Sequence, residues 1–242
     1  MAYEERIELD RFLNTKEFFD YSYPQVIPPG KSSIFSVGNK EIPPIHLADY
    51  LVAFSRQSHS YCVGCVDMVN STKISASISP QKLSGYYEIF LNSMSKIIGK
   101  FGGRVIKNVG DCLLYYFPNR SDSKNEGYAN CLDCGLAMVD AHKIICEQLE
   151  LQKLPSLSYR ISADWGSVLV MNTTDSSAVD LIGPPVNMCT KINHCAISNE
   201  FVIGGDFYEV VKKFAKYSFQ EVQSCSVGFK HSYPVYKVCQ QF

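Results

Sequence analysis

Two aspartates stand at the ends of apolar segments in this chain of 242 residues. Asp67 follows the run YCVGCV, and Asp111 opens the run DCLLYYF. A carboxylate at the edge of a buried sheet is unstable unless it is paired, hydrogen-bonded or bound to a metal ion. If the two strands are neighbours, both carboxylates face one point, and carboxylates with phosphate oxygens are typical ligands of Mg²⁺. Either aspartate alone is more typical of a turn or a cap, but the pair favours a metal site.

The residues after Asp67 could bind phosphate. Asn70, Ser71 and Thr72 lead into a helical segment. Backbone N–H groups at the start of a helix bind anions, so this turn and the carboxylate before it form a candidate metal-phosphate site. Simple helix capping by Ser71 and Thr72 is the alternative.

A third group of polar residues lies in the segment VDLIGPPVNMCTK, residues 179–191. Asp180 follows an apolar run, while Asn187 and Lys191 are four apart, on one face of a helix begun by two prolines. An amide and a cation together could stabilise a charged, pentacoordinate phosphoryl group. The alternative is a solvated helix face.

The elements around these residues predict a mixed fold. GRVIKNVG and DCLLYYF form a hairpin that holds Lys107 and Asp111. A helix capped by Ser79 precedes the hairpin, and a second helix, over about residues 127 to 150, follows it. We predict an α+β fold: a ferredoxin-like βαββαβ core with additional C-terminal strands and a helix, one antiparallel-rich sheet, and helices on one face.

The domain organisation has two parts. Residues 1–57 contain the Pro/Gly/Ser-rich stretch YPQVIPPGKSS and are predicted to form an N-terminal arm or linker, with a role in regulation or dimer stabilisation. A strap packed on the domain is the simpler alternative. Residues 58–242 are predicted to form the catalytic domain.

Composition excludes several classes of protein. Hydrophobic residues make up 46% and charged residues 19%, so the chain can bury a sizeable core. The net charge is −1 with no basic stripe, which argues against nucleic acid and against an anionic membrane surface. No apolar run is long enough to span a bilayer, and the acidic start MAYEERIELD does not resemble a secretory signal. We therefore expect a cytoplasmic protein.

The chain has ten cysteines, which we expect to be reduced thiols in the core. Cys62 and Cys65 lie in a strand, where positions three apart point to opposite faces, whereas Cys131 and Cys134 share the face of a helix. A four-cysteine zinc site is the alternative. We expect Trp165, the one tryptophan, to anchor the core.

The set of motifs resembles the class III nucleotidyl cyclase catalytic domain, the adenylate and guanylate cyclase family. Three blocks carry the resemblance in order: VDMVNST, GGRVIKNVGDCLLYYF and VDLIGPPVNMCTK. It runs from about Tyr61 to Val238. Any one block is weak evidence, but the set with this spacing is specific.

The resemblance implies a head-to-tail homodimer with active sites between two copies, each with two Mg²⁺ or Mn²⁺ ions. One copy would supply the metal ligands, which match Asp67, Asp111 and the backbone carbonyl of Met68, and the phosphate-binding amides of Asn70, Ser71 and Thr72. The other copy would supply the base-binding pair Lys107 and Asp180, the transition-state asparagine Asn187 and the helix cation Lys191. The family usually has arginine at the last position and a further triphosphate lysine, for which Lys230 is a candidate out of register.

The base-binding pair predicts the substrate. Lysine only donates hydrogen bonds and ionised aspartate only accepts them. Adenine offers a ring-nitrogen acceptor beside an amino donor and matches Lys107 and Asp180, whereas guanine presents the opposite pattern. We expect ATP to be converted into 3′,5′-cyclic AMP and pyrophosphate. Cytosine offers the same pair as adenine, so CTP stays open, as do a cyclase for GTP or UTP and a catalytically degenerate module that only binds nucleotide.

Overall fold

A computed structural model describes residues 8, 11–15, 18–19, 52–118, 124–173, 179–223 and 233–241. The strands are β1 (Val52–Met68), β2 (Arg104–Val109), β3 (Cys112–Phe117), β4 (Tyr159–Thr173), β5 (Val179–Ile182), β6 (Phe201–Gly204), β7 (Tyr217–Glu221) and β8 (Val235–Gln240). The helices are α1 (Ser71–Ser77), α2 (Pro80–Lys100), α3 (Lys124–Leu151), α4 (Pro184–Asn193) and α5 (Gly205–Val211).

All eight described strands form one sheet, in the order β2-β3-β1-β4-β6-β8-β7, with β5 paired to the outer part of β4. The β4–β6 pair is parallel and the other pairs are antiparallel. The predicted α+β fold is confirmed. The long strands β1 and β4 lie at the centre, where Cys65 faces Ser162 and Asp67 faces Arg160.

The main core lies between one face of the sheet and the long helices α2 and α3. Ser79 caps α2 by accepting a hydrogen bond from Lys82 N, as its sequence predicts. The helix ends at Lys100, and Gly102 follows with a φ of 77°, in the left-handed region that glycine adopts without strain. The apolar residues of α2 and α3 thus cover one face of β1, β3 and β4.

Helix α4 lies on the opposite face, against β1 and β4, so the prediction that helices cover one face is incomplete. In β1, Cys62 and Val66 point into the main core, whereas Val63 and Cys65 point into a second apolar cluster with Cys189 of α4. A strand that is apolar at successive positions must be covered on both faces. That requirement explains the additional layer.

Several element boundaries differ from the sequence prediction. The segments LSYRISADWG and SVLVMN each read as a separate strand in the sequence, but residues of both form the single strand β4. Strand β1 begins at Val52, inside the segment 1–57 that the sequence separates as an arm, and Leu13 and Phe18 are buried in the main core. Strands β1 and β4 are long because they pair with each other from the centre of the sheet out to Val52 and Thr173.

The cysteines occupy separate environments. Cys62 lies in the main core with Cys131 and Cys134, while Cys65 faces the other side of the sheet, so these four thiols do not converge on one zinc ion. Burial raises the pKa of Cys134, which keeps this thiol protonated. The expectation of reduced thiols is wrong for Cys195, which lies in the turn after α4 and is disulfide-bonded.

Trp165 packs edge-on against Tyr128, with ring centroids 6.3 Å apart, and contacts the main core. Across the described residues, every helix is too short or too polar to cross a bilayer.

Candidate active site

The two predicted metal aspartates lie side by side at the end of β1. Asp67 faces Cys112 across the β1–β3 pairing, and Met68 N donates to Asp111 O at 3.4 Å. Burial and the neighbouring charge of Asp111 raise the pKa of the Asp67 carboxyl, although Arg160 opposes the shift. Two adjacent carboxylates that repel each other are a suitable environment for a divalent cation.

The donor set of this acidic pair fits a hard cation. Among the described residues, no group of three or more His, Cys, Asp or Glu side chains is arranged to hold a metal ion. The chain would therefore offer two carboxylates and the Met68 carbonyl, leaving further coordination positions to phosphate oxygens and water. Mg²⁺ typically binds in this way, through one or two carboxylates plus substrate phosphates.

The turn after the acidic pair redirects the chain into α1. Asn70 adopts a left-handed conformation, with φ of 60°, and its side chain does not cap the helix. The amides of Ser71 and Thr72 lie in the first turn of α1, where N–H groups have no partner within the helix. These amides therefore have no partner within α1, and they lie four and five positions after Asp67.

The predicted base-binding residues contact each other. Lys107 on β2 forms an ion pair with Asp180 on β5, 73 positions along the chain. The second carboxylate oxygen of Asp180 accepts a hydrogen bond from Leu181 N at 2.8 Å, which fixes its orientation. The two side chains remain 47% and 24% exposed, so a ligand can reach both.

Helix α4 carries Asn187 and Lys191 on one face. Its approach to the sheet requires Gly183, because a Cβ there would lie 2.4 Å from Ser167 O. Asn187 and Lys191 are exposed, while Cys189 and Asn193 are buried on the far side of the helix. The Asn187 amide and the Lys191 cation therefore point away from the core of their own chain.

These residues form separate clusters. Lys107 and Asp111 are four positions apart, yet Lys107 pairs with Asp180 whereas Asp111 lies beside Asp67. Lys230, the candidate triphosphate ligand, lies outside the described residues.

Arg160 is a candidate site residue that the sequence motifs did not indicate. It faces Asp67 across the β1–β4 pairing, and its guanidinium Nη1 lies 3.3 Å from Nδ1 of His194. A guanidinium at this position is suited to bind phosphate oxygens. One feature of the sequence could have indicated Arg160: a charged residue between apolar residues in a strand. The same feature indicated Asp67.

Comparison with known proteins places the chain in a family. Residues 54–239 match the adenylate and guanylate cyclase catalytic domain. The match covers well over half of the chain, which therefore belongs to this family, and the class III resemblance is confirmed.

Individual relatives differ in the base for which they are named. A cytidylate cyclase from Staphylococcus aureus is 25% identical over 162 residues, 63% of this chain but only 38% of that protein. The adenylyl cyclase CyaB from P. aeruginosa is 25% identical, with a TM-score of 0.69 and coverage of 77% of this chain and 96% of that one. The guanylyl cyclase Cya2, at 19% identity and a TM-score of 0.67, shares the fold over 75% of this chain and 92% of that one. Family membership establishes a nucleotide cyclase domain and leaves the base open.

Proposed function

We propose that this chain is an adenylate cyclase that converts ATP into 3′,5′-cyclic AMP and pyrophosphate. The observation that carries the proposal is the juxtaposition of Asp67 and Asp111 at the end of β1, with Arg160 on the adjacent strand. Two carboxylates and a cation at one end of the central strands suit a metal-bound triphosphate.

The active form in this proposal is a head-to-tail homodimer. Support comes from the division of the candidate residues into an acidic cluster, Asp67 and Asp111, and a base-binding pair, Lys107 and Asp180, on different elements. In the proposed two-fold dimer the acidic cluster of one copy would face the base-binding pair of the other, and symmetry would give each of the two grooves both clusters. The groove would also receive α4 of the second copy.

The chain's residues then have distinct roles in cyclisation. Asp67, Asp111 and the Met68 carbonyl would hold two Mg²⁺ or Mn²⁺ ions, which when bound would supply activation of the ribose 3′-hydroxyl and neutralisation of the triphosphate charge. The amides of Asn70, Ser71 and Thr72, together with Arg160, bind the phosphate chain. Asn187 and Lys191 of the second copy stabilise the charge at the α-phosphorus while the 3′-oxygen attacks and pyrophosphate leaves.

The base preference rests on the Lys107–Asp180 pair. These two side chains contact each other, and in the proposal Lys107 donates to the ring nitrogen of adenine while Asp180 accepts from the amino group. The second candidate is CTP, because cytosine has the same acceptor and donor and because a curated relative is a cytidylate cyclase.

The test is to incubate the purified chain with each of the four nucleoside triphosphates and Mn²⁺, and to identify the cyclic product by mass spectrometry. Cyclic AMP as the main product supports the proposal, and cyclic CMP supports the second candidate. Product only from GTP or UTP would contradict the assignment of Lys107 and Asp180 to the base. Nucleotide binding without pyrophosphate release from any of the four would indicate a non-catalytic module.

A further inference from the structure

A buried cluster of polar groups joins the end of α4 to the two central strands. The Asn193 side-chain Nδ2 donates to Arg160 O at 3.1 Å and Ser162 Oγ at 3.1 Å, and it lies 3.4 Å from Cys65 O. Ser162 Oγ donates in turn to Cys189 O, one helical turn before Asn193, at 2.7 Å. Asn193 is 2% exposed and Ser162 is fully buried. We call these two side chains the α4 clasp.

The clasp is polar where apolar side chains would suffice for packing. Asn193 Oδ1 is buried and lacks a hydrogen-bond partner among the described residues. Turning the amide over would direct this oxygen at the carbonyl oxygens of Cys65 and Arg160, which only accept, so the observed orientation is the better one. A buried group that leaves one atom unsatisfied needs a compensating role, and fixing α4 on the strands is one.

The hydrogen bonds of the clasp constrain the rotation of α4 about its axis. Hydrogen bonds are directional, whereas the apolar contacts of Met188 and Ile192 constrain rotation only weakly. Asn193 lies two positions after Lys191, and Cys189 two positions after Asn187, which is roughly 200° around the helix. The clasp and the two candidate catalytic side chains therefore lie on opposite sides of α4.

A small rotation would displace the catalytic side chains. Their tips lie about 5–6 Å from the helix axis, so a turn of about 10° moves them by about 1 Å. A misplacement of about 1 Å can reduce a reaction rate by about 100-fold. The clasp also bonds to Cys65 O, in the strand that carries Asp67, and to Arg160 O, in the strand paired with it.

We propose that Asn193 and Ser162 are positioning residues for cyclisation: the clasp sets the rotation of α4, so that Asn187 and Lys191 enter the partner's groove correctly. This inference rests on the proposed shared active site. It has a specific consequence, because the clasp of one copy governs turnover in the groove whose metal aspartates belong to the other copy.

The test uses a mixed dimer with a single intact site. Full-length chains carrying Asp111→Ala and Asn187→Ala are co-expressed with different affinity tags, and the mixed dimer is isolated by two purification steps. Its one functional groove combines Asp67 and Asp111 of the Asn187→Ala chain with α4 of the Asp111→Ala chain. Ser162→Ala is then placed in either chain.

We expect Ser162→Ala in the Asp111→Ala chain to lower kcat by about 10- to 100-fold with little change in KM. In the Asn187→Ala chain it should change kcat by less than about twofold. As a control, Tyr217→Phe removes a buried hydroxyl that bonds to Asp133 from β7, at the far edge of the sheet, and should leave kcat unchanged in either chain.

If Ser162→Ala lowers kcat equally in the two chains, or in neither, the positioning role is overturned while the proposed function stands. An inactive mixed dimer before Ser162→Ala is added would instead overturn the shared active site, and this inference with it. Hydrogen exchange gives a readout independent of turnover: Ser162→Ala should speed exchange of the α4 amides and leave those of α2 unchanged. Unchanged α4 exchange would also contradict the inference.

Discussion

At the scale of single residues, Lys107 and Asp111 show how neighbours in sequence can belong to different clusters. A bulge between Val105 and Lys107 shifts the register of β2 against β3, and Gly110, with φ of 62°, turns the hairpin before Asp111. Lys107 therefore reaches Asp180, whereas Asp111 returns towards the end of β1. In the proposed dimer, the lysine binds a base in one groove and the aspartate holds metal in the other.

The metal role of Asp111 predicts a large loss on substitution. Asp111→Ala should reduce kcat with Mn²⁺-ATP by at least about 1,000-fold and leave the dimer intact, because the hairpin backbone is unchanged. Turnover and light scattering check the two parts.

Asp206→Asn is the matched control, since this aspartate is exposed at the start of α5 and should tolerate the change. Undiminished activity of Asp111→Ala would contradict the metal assignment.

The role of Lys191 in α4 predicts that a conservative substitution keeps or raises activity. Lys191→Arg should keep or raise kcat by up to about tenfold, because guanidinium binds phosphoryl oxygens through two parallel hydrogen bonds. Steady-state kinetics with ATP provide the measurement. If the arginine variant is inactive while its dimer and melting temperature are normal, Lys191 is not the cation that stabilises the charge at the α-phosphorus.

At the scale of elements, β1 is shaped by a close approach to β3. A Cβ at Gly64 would lie 2.2 Å from Cζ of Tyr115, a ring that is fully buried in the main core. Any side chain at this position therefore displaces Tyr115 or the strand that precedes Asp67.

We predict that Gly64→Ala lowers the free energy of unfolding by about 1–3 kcal/mol, the typical cost of overpacking a core. Thermal or urea denaturation measures the change. Gly99→Ala in α2 is the control, since its Cβ would meet nothing within 4 Å and alanine favours the helix by up to about 1 kcal/mol. Equal stabilities for Gly64→Ala and the parent would show that Tyr115 yields without cost.

At the scale of the whole molecule, Asp164 ties together three distant segments. Its carboxylate accepts hydrogen bonds from Trp165 N in β4, Phe207 N in α5 and the hydroxyl of Tyr233 before β8. Burial raises the pKa of Asp164 to about 6, although these hydrogen bonds oppose the shift. Gly204 leaves room for it, because a Cβ there would lie 2.6 Å from the carboxyl carbon.

The raised pKa predicts a pH-dependent stability. The folded state holds the Asp164 proton up to about pH 6 and the unfolded state only up to about pH 4, so this contribution is complete below about pH 4 and is lost towards pH 6. Relative to Asp164→Asn, the parent should lose about 3 kcal/mol of stability between those pH values. Urea denaturation of both proteins across this range tests the prediction, and parallel curves would refute it.

The sequence by itself determined the local features and the class of site. Ser79 and Gly102 bound α2, the hairpin turns at Gly110, and the motif set predicted the family and the fold, since these signals depend on a few adjacent residues. The zinc alternative also fails for a local reason, the alternation of Cys62 and Cys65 across a strand.

Only the tertiary structure decided which distant residues meet. Arg160 lies across from Asp67, and Asn193 contacts Ser162, because β1, β4 and α4 pack in one register. Apolar periodicity fixes which face of a strand is buried, but a shift by two residues keeps the same face buried, so periodicity alone does not select that register. Hydrogen bonds and charge pairs between segments far apart in sequence select one of them, and they form only when the chain has folded.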